Sequence, residues 1–139
     1  MEKQKEHLNP NGLFSNPAFS QVVTTQGNGK TIYVGGQNGV NEKAEIVGEN
    51  DIAAQTEQAL KNIAIALKAC GANYDNLVKL NIYIVQGQDL QKSFEASRKL
   101  LSHISKPPVV NVLFVAGLAH PNFLIELEAT AFLPEKTNP

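Results

Sequence analysis

Arginine is almost missing from this chain. Of its 12 cationic residues in 139, only Arg98 is an arginine and the rest are lysines. Against 13 acidic residues they leave a formal charge of −1. A near-neutral chain with one arginine is a poor binder of phosphate backbones, where affinity comes from clustered Lys and Arg. The balance therefore argues against a nucleic-acid partner. It also restricts chemistry on anions, because clamping a carboxylate falls by preference to the planar guanidinium fork. One cysteine, Cys70, excludes an intrachain disulfide and a cysteine-based metal cage. The three histidines, His7, His103 and His120, are scattered without ligand spacing, so no metal is expected. No apolar run approaches the roughly 20 residues of a membrane span. The charged start, Met1-Glu2-Lys3-Gln4-Lys5-Glu6, lacks the apolar core of a secretory signal. The expectation is a cytoplasmic protein without membrane contact.

What is present is an ordinary globular composition, 42 % hydrophobic, in a length suited to one domain. We expect a single domain over 1–139 with an ordered core at about 10–133. Residues 1–16 read as a frayed start and a loop, which places His7 in a tail. Val22–Thr25 and Thr31–Val34 are β-branched and flank Gly27-Asn28-Gly29-Lys30, the pattern of a β-hairpin. Gly35-Gly36-Gln37-Asn38-Gly39 ends it, and no phosphate-loop or dinucleotide fingerprint accompanies these glycines. A helix follows over residues 51–70, capped by Asn50 or Asp51, with Ile52, Leu60, Ile63, Ala64 and Leu67 on one face. Gly71 stands where a left-handed C-terminal residue belongs. Val78–Val85 alternates as a strand, and Asp89 caps a second helix from about Leu90 to His103.

The last two strands carry the oligomer argument. Val109–Ala116 is apolar on both faces, with Asn111 the one polar member. A strand that is apolar on both sides is covered on both sides, and two helices of this size cover one face of a sheet. The other face is expected to meet a sheet from another subunit. Phe123–Phe132 sets Phe123, Ile125, Leu127, Ala129 and Ala131 against Leu124, Glu126, Glu128 and Thr130. The glutamates fit either a solvated strand face or the lining of an intersubunit cleft. The order is β-β-α-β-α-β-β.

That order and its motifs resemble the Rid family, the reactive intermediate deaminases also called the YjgF family, over roughly residues 10–133. The residues that carry the resemblance are Pro17-Ala18-Phe19-Ser20-Gln21, Gly35-Gly36-Gln37, Gln55-Thr56 with Asn62-Ile63, Cys70-Gly71, Val78-Lys79 with its alternating strand, and Ile125-Glu126-Leu127-Glu128-Ala129. The resemblance implies an α+β, chorismate mutase-like fold, one sheet backed by two helices. It implies a homotrimer with a central barrel and small-molecule pockets between subunits. In active members it implies hydrolysis of enamines and imines to 2-oxo acids and ammonia, with no cofactor.

The family pattern breaks where the chemistry sits. Its Pro-x-Arg, whose arginine holds the substrate carboxylate, reads Pro107-Pro108-Val109 here. Its loop tyrosine is Phe19, its serine is Gly35, and its second-helix asparagine falls on Phe94. Its acidic residue is retained as Glu126, and Asn111 adds a polar group on the face of Val109. An unpaired carboxylate in an apolar cleft costs several kcal/mol, so 2-imino acid hydrolysis by the family route is disfavoured. Lys106 and Arg98 are candidate replacement cations, though each also fits a solvated surface charge. Three functions follow as expectations. The first is ligand binding without deaminase activity at Phe19, Gly35, Phe94, Val109, Asn111 and Glu126. The second is hydrolysis of an imine lacking a carboxylate, with Glu126 as general base. The third, an RNA-directed role, is opposed by the charge balance.

Overall fold

A computed structural model describes residues 4–136. Its strands are β1 (Lys5–Leu8), β2 (Val22–Thr25), β3 (Gly29–Asn38), β4 (Leu77–Val85), β5 (Val109–Val115) and β6 (Ile125–Pro134). The helices are α1 (Ile52–Ala69) and α2 (Leu90–Leu101), with a short 3-10 turn at Tyr74–Asn76. A mixed four-stranded sheet runs β3-β6-β4-β5. The β3/β6 and β6/β4 pairs are antiparallel, and β4/β5 is parallel. A parallel pair needs a crossover, and α2 supplies it. The expected α+β arrangement, two helices on one face of a sheet, is the observed one.

The helices form where the polar ends of the sequence permit. Asp51 is the cap of α1, its Oδ1 accepting from the Ala54 N–H at 3.0 Å. Gly71 ends that helix at φ +79°, a conformation that costs glycine little. Asp89 caps α2 by accepting from Gln91 N–H at 2.9 Å. Ile52, Leu60, Ile63 and Leu67 of α1 are buried against Ile32 and Val34 of β3, Leu80 and Ile84 of β4, and Ile125, Leu127, Ala129 and Ala131 of β6. The alternation read from β4 and β6 is therefore the split between core and helix-free face. No helix among the described residues is long and apolar enough to cross a membrane.

Three expectations are corrected. The frayed start contains a strand: β1 pairs antiparallel with β2, Glu6 opposite Thr24 and His7 opposite Val23. Residues 1–3 lie outside the described residues. Second, β2 and β3 do not form the expected hairpin. The chain turns through Gly27 (φ +79°), so that β2 pairs with β1 while β3 joins β6. Third, the glycines after Val34 do not end β3. The strand continues to Asn38 through a register shift between Val34 and Gln37. The edge strand β5 is covered by this chain on neither side completely: Leu113 is 54 % exposed and Phe114 48 %.

His7 is not in a tail. Its Nδ1 is 2.9 Å from the Pro107 carbonyl, which also accepts from Ser20 Oγ at 2.6 Å. Burial pushes the His7 imidazole below its ordinary value, with Lys5 and Lys106 adding to the effect and the Pro107 carbonyl opposing it. Backbone bonding from Ser20 N–H to Pro108 O at 3.0 Å completes the clamp that fixes the start of β5.

Gln55 is the buried polar hinge of the molecule. Fully buried on α1, it donates to Gly48 O and Asn122 O at 3.1 Å each and accepts from Leu124 N–H at 2.9 Å. Those bonds tie the α1 entry loop to the start of β6. We predict that Gln55→Leu lowers stability by about 2–4 kcal/mol, because the buried Leu124 N–H and the part-buried Gly48 and Asn122 carbonyls lose their partner at once. Urea unfolding checks this; an unchanged midpoint would refute it.

Candidate functional site

The six expected site residues fall into three groups in one chain. The first is where β3 crosses beside β6. Gly36 lies under the Glu126 carboxylate so closely that a Cβ there would sit 2.6 Å from Oε2, so a side chain at 36 would push the carboxylate out of this position. Asn38 Nδ2 donates to Ile125 O at 3.0 Å and reaches Glu126 Oε1 at 3.4 Å. Gly35 adjoins this pair, in open space. Glu126 points to the helix-free face, since its neighbours Ile125 and Leu127 are buried in the core.

The second group lies on the same face at the β5 edge. Register places Val109 beside Lys79, Asn111 beside Asn81, and Leu113 beside Tyr83. Asn111 Nδ2 donates to Asn81 Oδ1 at 3.2 Å, and Asn81 Nδ2 donates to Glu128 Oε1 at 2.9 Å. Tyr83 donates its hydroxyl to the same oxygen at 2.6 Å. These hydrogen bonds, from Tyr83 first and Asn81 second, hold the Glu128 carboxyl below the usual range, with Lys79 adding to them. The Tyr83 phenol is pushed up, chiefly by its bond to Glu128. Glu126 is in register with Tyr83 and Tyr83 with Leu113, so Val109 is two strands across and four residues along from Glu126. Ordinary strand spacings make that about 16 Å. One chain does not bring these two residues together.

The third group is Phe19 and Phe94. Both line a cavity of about 670 Å³ between α2 and the opposite, helix-covered face of the sheet. Of the remaining histidines, His103 is past the end of α2, 6.5 Å from the Tyr74 ring. His120 accepts from Asn122 N–H through Nδ1 at 3.0 Å and stacks on Phe123.

Sequence reasoning missed Lys79, the cation in register with Val109, and the partnership of Glu128 with Asn81 and Tyr83. Both were accessible in principle from strand alternation, which puts Lys79, Asn81 and Tyr83 on one face; the pairing register was the missing piece. Chemically, the face offers a carboxylate at Glu126 beside bare backbone, able to accept a proton from water, and a hydrogen-bonded carboxylate at Glu128. A lysine here is a point charge without a fork for bidentate recognition.

The chain is a two-helix α+β fold with Glu126 and Glu128 on the helix-free face of its last strand, and comparison with known proteins gives its class a name. The profile of the endoribonuclease L-PSP family matches residues 12–133, so the chain belongs to this family, the Rid or YjgF family. It is 31 % identical to a RutC family protein from Pyrococcus horikoshii, over 82 % of this chain and 86 % of that one. It is 30 % identical to the human 2-iminobutanoate/2-iminopropanoate deaminase, over 81 % of this chain and 78 % of that one. The crystal structure of a Rid family protein of unknown function from Yersinia pestis superposes with a TM-score of 0.84 at 29 % identity, covering 94 % of this chain and 100 % of that one.

Depression of the Glu128 pKa has a definite sign in stability. The ionised form is favoured in the fold, so the contribution is present above the ordinary carboxyl value of 4.5 and is lost as pH falls through the depressed one. Tyr83→Phe should move the Glu128 carboxyl back toward its ordinary value and flatten the stability loss below that pH. Carbon-detected NMR titration of the glutamates reads this; an unmoved Glu128 would refute the assignment.

Proposed function

We propose that this Rid-family protein binds a small molecule between subunits and has no effective 2-imino acid deaminase activity. The observation that carries the reading is Val109 at the start of β5, where the family resemblance calls for an arginine. In the proposed homotrimer, with the sheets forming a central barrel, Glu126 and Gly35 of one chain face Val109 and Asn111 of its neighbour, while Phe19 and Phe94 stay on the helix side of the sheet. Exposed apolar side chains on the helix-free face, Leu113 and the 80 % exposed Tyr33, support burial of that face by another copy. A carboxylate among aromatic and aliphatic groups favours a neutral or cationic ligand over an acid. The name of the human relative supports an imine as the ancestral substrate class.

A second reading keeps catalysis. Glu126, set on the Gly36 backbone with its oxygen open to the face, would take a proton from water as the water oxygen attacks the carbon of a C=N bond, the C=N electron pair moves to nitrogen, and Glu126 returns that proton to the nitrogen. Glu126 then passes the carbinolamine hydroxyl proton to the same nitrogen, so that the C–N bond breaks as the C=O forms and the amine leaves neutral. This route needs no metal or organic cofactor and no substrate carboxylate. An RNA-directed role, which the family's endoribonuclease description suggests, is opposed by the charge of −1 and the single arginine.

The test is turnover of 2-iminobutanoate generated in place by a dehydratase. We expect kcat/KM at least about a hundredfold below that of the human relative, the order of effect of losing a charged hydrogen-bonded pair. Val109→Arg should recover part of it. Full turnover by the unmodified chain would overturn the reading.

A further inference from the structure

The cavity beneath α2 is not part of the helix-free face and is built by one chain. At about 670 Å³ it lies within the range of small-molecule sites. Leu80, Ile82, Val110 and Val112 of the sheet and Leu90 and Leu101 of α2 are among the residues that line it. Its polar groups deep inside are already engaged. Ser93 Oγ and Thr56 Oγ1 are 2.9 Å apart, and Thr56 donates to Ile52 O at 2.7 Å, so Ser93 is the donor of that pair. Ser97 donates to Phe94 O at 2.8 Å. The hydroxyls of Thr56, Ser93 and Ser97 thus have their donors committed, and the aliphatic lining suits an apolar body.

The mouth differs. Arg98 is the one charged residue among those that line the cavity, and it is exposed. Among the described residues it forms no ion pair, the single salt bridge being Lys61–Glu57. A guanidinium free to pair, at the opening of an otherwise uncharged and largely aliphatic chamber, matches a ligand with an anionic head and an apolar tail. We propose that this cavity is a binding site for a small amphiphilic carboxylate, its tail under α2 and its head on Arg98. The site goes beyond the intersubunit reading, because neither Glu126 nor a second chain is required.

Calorimetric titration with octanoate, 1-octanol and octylamine tests the proposal on the full chain. Octanoate should bind at one site per chain and tighter than either octanol or octylamine. Arg98→Gln, a surface change, should weaken octanoate by about tenfold and leave octanol unaffected. Val110→Phe, which fills the chamber from the sheet side, should abolish binding of both octanoate and octanol. No octanoate binding, equal binding by octylamine, or octanoate binding unchanged in Arg98→Gln would each overturn the proposal. So would retention of octanoate by a folded Val110→Phe variant. If that variant fails to fold, the Arg98→Gln comparison decides alone.

Discussion

A carboxylate set against bare backbone selects its neighbours by charge. Glu126 lies over Gly36, where a side chain would displace it, and beside the amide of Asn38. No guanidinium shares its sheet face: Arg98 is on α2. An anionic ligand brought to that face meets repulsion from Glu126 and Glu128, with Lys79 as the nearest registered counter-charge. The same chain places its one arginine at the mouth of an apolar chamber on the other side of the sheet. Glu126 and Glu128 on the helix-free face and Arg98 on the helix side are kept apart by the sheet, and both functional readings follow from that constraint.

Local signals carried most of the fold. Asp51 and Asp89 cap helices because their side chains reach free first-turn amides, an interaction within three residues in sequence. Alternation in β4 and β6 separates core from face because one period decides both. What could not be read is what depends on distant pairing. β1 is a strand because Val22–Thr25 lies beside it, and His7 is held by a carbonyl 100 residues away. The β2–β3 turn had the composition of a hairpin, yet β3 gains more by pairing along the whole of β6.

The candidate site was legible in part for the same reason. Glu126 and Glu128 on one face followed from period two, and so did Asn111 beside Val109. The grip of Tyr83 and Asn81 on Glu128 and the place of Lys79 needed the β4 register. Phe19 and Phe94 line the cavity on the helix side, a location set by how far α2 stands from the sheet, which no sequence pattern reports.

The proposed cleft requires two chains, since Glu126 and Val109 are far apart in one. Edge strand β5, incompletely covered on both faces, and the exposed Tyr33 and Leu113 give a second copy somewhere to bind. Light scattering coupled to size exclusion tests this most directly. The account predicts a mass near three times 15.1 kDa; a 15.1 kDa monomer at micromolar concentration would contradict it.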